Sequence, residues 1–160
     1  MKNIRPELIR LFKEGYCTPQ ISRIAKVTKE PATTIYYNIK KLEKEGATKT
    51  YKAVFDHRKI EEGFTVFILV ALTSDEFSDP ERAARDLARH REVESVDILA
   101  GDWELLLKVR TRDQDAYFEF LKTVISKEQG VENTNSIISL KEIKSEFVTA
   151  SDRTATTYTR

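Results

Sequence analysis

Apolar residues recur at helical spacing in the first third of the chain and at strand spacing in much of the rest. Ile4, Leu8, Leu11 and Phe12 make one stripe, so a helix is predicted over 4–14, ended by Gly15. Thr18 then Pro19 reads as a cap and a first-turn proline. A second helix therefore starts there, with Ile21, Ile24 and Ala25 inward. The turn 26–30 leads into a third helix within 29–46, where Ile35, Ile39 and Leu42 face a core. Pro31 suits its first position and pushes Glu30 out of helical geometry, and Gly46 is the expected stop. Residues 47–54 alternate as a strand, Asp56 caps a short helical turn through Ile60, and Gly63 ends this connector.

After the connector the pattern changes. Val66 to Leu72 is a continuous apolar run of strand length, which needs cover on both faces. Pro80 to His90 is predicted helical, with Ala83, Ala84, Leu87 and Ala88 inward. Strands are predicted over 93–99 and 104–111, the latter with Leu105, Leu107 and Val109 on one side. A helix over 114–127 carries Tyr117, Phe120, Leu121, Val124 and Ile125, and a last strand spans 134–143. The order is βαββαβ, a ferredoxin-like split unit. Two helices cover one face of such a sheet. Phe67, Leu69 and Leu106 then call for cover on the other, either a partner sheet in a two-fold dimer or the N-terminal part of the chain.

Charge divides the chain at the same place. Residues 1–60 hold 14 Lys and Arg against 6 Asp and Glu, about +8; residues 61–160 hold 13 against 20, about −7. A basic first third on an acidic remainder confines polyanion contact to the first part. The third helix agrees. Its polar face carries Thr33, Thr34, Tyr36 and Tyr37 early, then Lys40, Lys41 and Lys44, with Lys49 and Lys52 just beyond. Uncharged hydrogen-bonders followed by cations suit a groove-reading helix, whose early residues meet base edges and whose later ones meet phosphate. Thr34 either joins that face or packs inward. A solvated amphipathic helix is the plain alternative.

Other chemistry is thin. The single cysteine, Cys17, excludes an internal disulfide and suits a reducing cytoplasm as a small half-buried filler. His57, His90 and Cys17 lie far apart, without zinc-ligand spacing, and Asp113 and Asp115 read as a helix start. No phosphate loop, nucleophile elbow or HExxH motif is present, so neither catalytic nor metal residues are assigned, no cofactor is required, and no enzyme is expected. No membrane-spanning apolar run or signal-peptide core occurs.

Ile24-Ala25, Thr34-Ile35, Ile39, Leu42 and the ending LEKEG resemble the helix-turn-helix of the Lrp/AsnC family, the feast/famine regulators of bacteria and archaea. LAGDWELLLKVRTRD and the later GVENTNSIISLKEIK resemble that family's effector-binding, oligomerising domain. The resemblance runs from about residue 4 to Lys144. It departs at Lys29, where a turn glycine is common, at Pro31, where a serine cap is usual, and at Trp103, where tyrosine is commoner.

The resemblance implies an α+β protein, a winged helix-turn-helix joined to a ferredoxin-like domain. The expected organisation is 1–54 for DNA binding, 55–64 as connector, 65–148 for assembly and effector binding, and 149–160 as a flexible polar tail. It implies double-stranded DNA with a pseudo-palindromic site as partner, a homo-oligomer, and an amino acid or related small molecule as effector. Carried over by position, Gly101 and Asp102 would shape the effector site, with Trp103 as apolar wall and Thr134 and Ser136 as hydroxyls. A Gly-Asp pair between two strands is also an ordinary hairpin turn. The function implied is a sequence-specific transcriptional regulator. The alternative is a metabolite-binding interaction module that recruits transcription machinery through its N-terminal part.

Overall fold

The computed structural model describes residues 5–75, 79–145 and 148–149. Ile4 and residues 150–160 lie outside them. The chain forms two compact units, Met1–Phe55 and Asp56–Arg160.

The first unit holds three helices, α1 (Arg5–Lys13), α2 (Ile21–Thr28) and α3 (Ala32–Lys44). Gly15 follows α1 at φ +97°, where a side chain is strained, and a Cβ there would stand 2.5 Å from the Thr50 hydroxyl. Helix α2 starts later than Thr18-Pro19 predicts. The Pro19 carbonyl instead accepts from the N–H of Ile21, and the first full helical bond runs from Ile24 to Gln20. Pro31 is not in the first turn of α3 but caps it, with extended backbone (φ −59°, ψ 141°) and a carbonyl that accepts the N–H of Ile35 at 3.1 Å. Lys29 ends α2 in the left-handed region at φ 60°, the position where glycine would fit without strain.

The strand expected over 47–54 does not form. Alternation alone makes no strand without a partner ladder, and residues 48–56 run in irregular conformation. Two of their amides bond back to helices: Thr48 N–H to the Leu42 carbonyl and Ala53 N–H to that of Phe12, both at 3.3 Å.

The second unit opens with a 3-10 turn (His57–Ile60) and then follows β1 (Phe64–Leu72), α4 (Pro80–Leu87), β2 (Val93–Ile98), β3 (Leu105–Thr111), α5 (Gln114–Thr123) and β4 (Val131–Ile138). This is the βαββαβ order read from the sequence. The strands form one four-stranded antiparallel sheet, β2-β3-β1-β4, so the protein is mixed α+β. On one face Val66, Ile68, Val70, Leu105, Leu107 and Val109 are fully buried under Leu87 of α4 and Tyr117 and Phe120 of α5. The Asp113 carboxylate caps α5 by accepting the Ala116 N–H at 2.9 Å, which holds that carboxyl below its ordinary range. Helix α5 is shorter than predicted and continues as a 3-10 turn, Ile125–Lys127.

The last strand lies earlier than predicted. β4 pairs with β1 from Leu72–Val131 to Val66–Ile138, with a bulge at Ala71/Leu72. Ser139 donates to the Thr65 carbonyl at 2.9 Å, and beyond that bond residues 139–143 leave the ladder. Short strands β5 (Lys144–Ser145) and β6 (Val148–Thr149) then pair, which draws Thr149 into structure rather than into the tail.

Candidate functional site

Helix α3 exposes its N-terminal and outer side chains and half-buries Ile35 and Ile39. Thr33, Thr34, Tyr36, Tyr37, Lys40, Lys41 and Lys44 are all exposed, so Thr34 faces out rather than in. The rings of Tyr36 and Tyr37 meet edge to face, centroids 5.6 Å apart, and Tyr37 is 71 % accessible. The Lys40 ammonium sits 5.9 Å from the centre of the Tyr36 ring. It also donates to Glu43 at 2.7 Å, and that carboxylate raises its pKa. Lys41 stands 3.8 Å from Glu45. Lys44 and Lys49 are exposed with no ion pair among the described residues. Sequence reading missed Glu43. It sits one turn from Lys40, a spacing visible in the chain, but its second partner, the Tyr51 hydroxyl at 3.4 Å, depends on the path of 48–55.

The turn between β2 and β3 is closed by the Leu99 N–H donating to the Glu104 carbonyl at 2.8 Å. Gly101 has φ +148°, and Gly101 and Asp102 are exposed while Trp103 is half-buried. Register places Thr134 opposite Val70, which itself faces Leu105, so Thr134 shares the end of the sheet where this turn lies. Two strand spacings separate them, roughly 10 Å. Ser136 is two residues further along, opposite Ile68 on the helix-covered face, and its hydroxyl lies 2.5 Å from that of Tyr117. Thr134 and Ser136 thus share one face of β4: Ser136 meets Tyr117, and Thr134 lies across β1 from the strand that ends the turn. Sequence reading also passed over Glu104. Its amide donates to the Val70 carbonyl at 3.0 Å, and its carboxylate accepts the Leu72 N–H at 2.8 Å, which ties the turn to the bulge of β1.

The sheet face away from α4 and α5 carries Phe67, Leu69 and Leu106, bordered by a charged cluster. Arg110 reaches Glu94 at 2.6 Å and Glu142 at 3.1 Å, and Lys108 reaches the same two carboxylates at 3.1 and 3.3 Å. The Arg110 side chain is only 5 % accessible. Burial pushes the Glu94 and Glu142 carboxyls upward, but Arg110 and Lys108 outweigh it and hold both below their ordinary value. His57 joins the edge of the cluster, 3.9 Å from Glu94 and 3.5 Å from Glu62. Lys108 and Arg110 alternate with Leu107 and Val109, so their shared face was legible; the carboxylates that meet them come from the irregular step in β2 at Glu94 and from the segment after β4 at Glu142.

Among the described residues no group of three or more His, Cys, Asp or Glu could hold a metal ion, and no helix is long and apolar enough to cross a membrane.

Residues 65–149 match the Lrp/AsnC ligand binding domain. The chain belongs to the Lrp/AsnC family. An HTH-type transcriptional regulator of Pyrococcus abyssi is 30 % identical over 127 residues, 79 % of this chain and 85 % of that protein. The crystal structure of an AsnC family transcriptional regulator from Agrobacterium tumefaciens superposes with a TM-score of 0.71 at 25 % identity, covering 91 % of this chain and 94 % of that one. A transcriptional regulator from Neisseria meningitidis, solved as a complex with L-Met, gives 0.68 at 23 % identity over 94 % and 95 %. The Lrp/AsnC chain described here is accordingly a transcriptional regulator, and proteins of this kind are named as regulators rather than enzymes.

Proposed function

We propose that this Lrp/AsnC regulator works as a dimer or higher oligomer that binds pseudo-palindromic DNA. Helices α2 and α3 act as the helix-turn-helix, with α3 in the major groove and the irregular segment 48–55 in place of a stranded wing. The domain roles follow: 1–54 binds DNA, 55–64 connects, and 65–148 assembles the protein and binds effector, in the cytoplasm. One observation carries the reading. The exposed face of α3 runs from Thr33, Thr34, Tyr36 and Tyr37 to Lys40, Lys41 and Lys44, hydrogen-bonders first and cations after. Two-fold symmetry then sets half-sites one helical turn apart, roughly 34–36 Å.

The half-buried apolar residues Phe67, Leu69 and Leu106, on the sheet face away from α4 and α5, suit a second copy's sheet. The effector is an amino acid held at the turn of Gly101, Asp102 and Trp103 with Thr134. The L-Met complex of the Neisseria protein supports that ligand class. Exposed backbone around Gly101 suits a carboxylate and Asp102 an ammonium group. Such a ligand acts by binding one assembly or spacing more tightly than another.

The test is binding of the full chain to its own promoter region and to scrambled DNA of equal length across a salt series, with and without L-methionine. Preference for promoter DNA at every salt, with affinity falling steeply as salt rises, is the expected result. Tyr37→Ala should change site preference, whereas Lys44→Ala should weaken all DNAs alike and lower the salt slope by about one. Absence of binding to either DNA overturns the reading and favours recruitment of transcription machinery through the N-terminal unit.

A further inference from the structure

We propose that Glu43 is an intramolecular competitor of DNA phosphate at Lys40, and so limits how tightly α3 binds any DNA. The inference rests on α3 being the DNA-reading helix. Glu43 holds Lys40 at 2.7 Å through one carboxylate oxygen and meets the Tyr51 hydroxyl at 3.4 Å through the other. Both oxygens are therefore engaged, and the side chain is 31 % accessible against 53 % for Lys40. The carboxylate thus rests beside the cation, half-buried and with a second polar group on its other oxygen. The nearby pair differs: Lys41 stands 3.8 Å from Glu45, and both are more exposed.

A phosphate can engage Lys40 only by displacing this partner. The ammonium, already neutralised, gathers and releases little counterion of its own. Counterion release is what makes DNA affinity fall with salt, with a slope of about −0.9 per phosphate neutralised. Lys40 consequently adds less to affinity and to salt slope than Lys44, which has no such neighbour among the described residues.

The experiment measures salt-dependent binding of full-length wild type, Glu43→Gln, Lys40→Met and the double variant to promoter and scrambled DNA. Glu43→Gln should tighten binding to both DNAs about two- to five-fold at low salt, the scale of one exposed ion pair. It should also steepen the salt slope by about 0.9. In the Lys40→Met background the same change should leave the slope where it is. Glu43→Ala, which removes the same carboxylate, should repeat the gain, and Tyr51→Phe, which leaves the Lys40 pair intact, should not show it. An unchanged slope in Glu43→Gln overturns the inference. So does an equal gain in the Lys40→Met background, which would mark a general charge effect, or an equal gain in Tyr51→Phe, which would mark loosening of 48–55. If wild type itself fails to bind DNA, the DNA-reading assignment falls and this inference with it. Wild-type binding with an inert Glu43 removes this inference alone.

Discussion

The two units of this regulator are built on opposite terms. In the sheet unit Val66, Ile68, Val70, Leu87, Leu105, Leu107 and Val109 have no accessible surface at all. In the helical unit not one residue of α1, α2 or α3 is buried, and Leu8, Phe12 and Leu42 are 39, 38 and 47 % accessible. Three short helices enclose less, because small assemblies bury a smaller share of their surface. A four-stranded sheet with helices across it encloses more. Stability is thus concentrated in one unit, and the other presents its side chains for contact.

The sharpest way to test this contrast is Ile68→Ala. Ile68 lies at the centre of the sheet with no accessibility, so the change should cost about 2–5 kcal/mol in chemical denaturation, including the cavity left behind. Leu42→Ala, on a half-exposed stripe, should cost only about 1 kcal/mol. A loss at Leu42 as large as that at Ile68 would break the comparison. It would mean that another copy covers α3's apolar stripe in the assembled protein, and the loss would then grow with protein concentration.

Removing Arg110 comes between these in size. Arg110→Met strips Glu94 and Glu142 of their closest partner, at a cost of about 1–3 kcal/mol, read from the shift in denaturation midpoint. The same cluster has a pH signature. Both carboxyls sit below their ordinary value of 4.5 in the folded protein, so their stabilisation is full above that value and is lost as pH falls through the lowered ones. Wild type should therefore lose stability on acidification below about pH 4.5, and Arg110→Met should show a shallower acid limb. Equal acid limbs in the two proteins would show that other carboxylates govern the acid response.

What could be read from the chain was set by local periodicity. The stripe Ile35, Ile39, Leu42 determined α3, the run from Val66 to Leu72 determined a doubly apolar strand, and Asp113 marked the start of α5. The division of charge, the candidate DNA-facing residues and the family resemblance came from sequence too, because each depends on residue type and spacing along one element. Boundaries that depend on a partner were not legible. Residues 47–54 alternate as a strand should, yet no described strand pairs with them, and β4 leaves the ladder after Ile138, opposite Val66, while β1 runs on to Phe64 beside β3. The same limit separated Thr134 from Ser136. Their hydroxyls look equivalent in the chain and lie on one face of β4, but only Ser136 is met by the Tyr117 hydroxyl, which α5 brings to it. Glu43 and Glu104 became visible as tethers only when Tyr51 and Leu72 were brought to them from 8 and 32 residues away. Sequence determined which elements form and what chemistry they carry; tertiary structure decided which of those groups meet, because pairing and register bring together residues that no period along the chain connects.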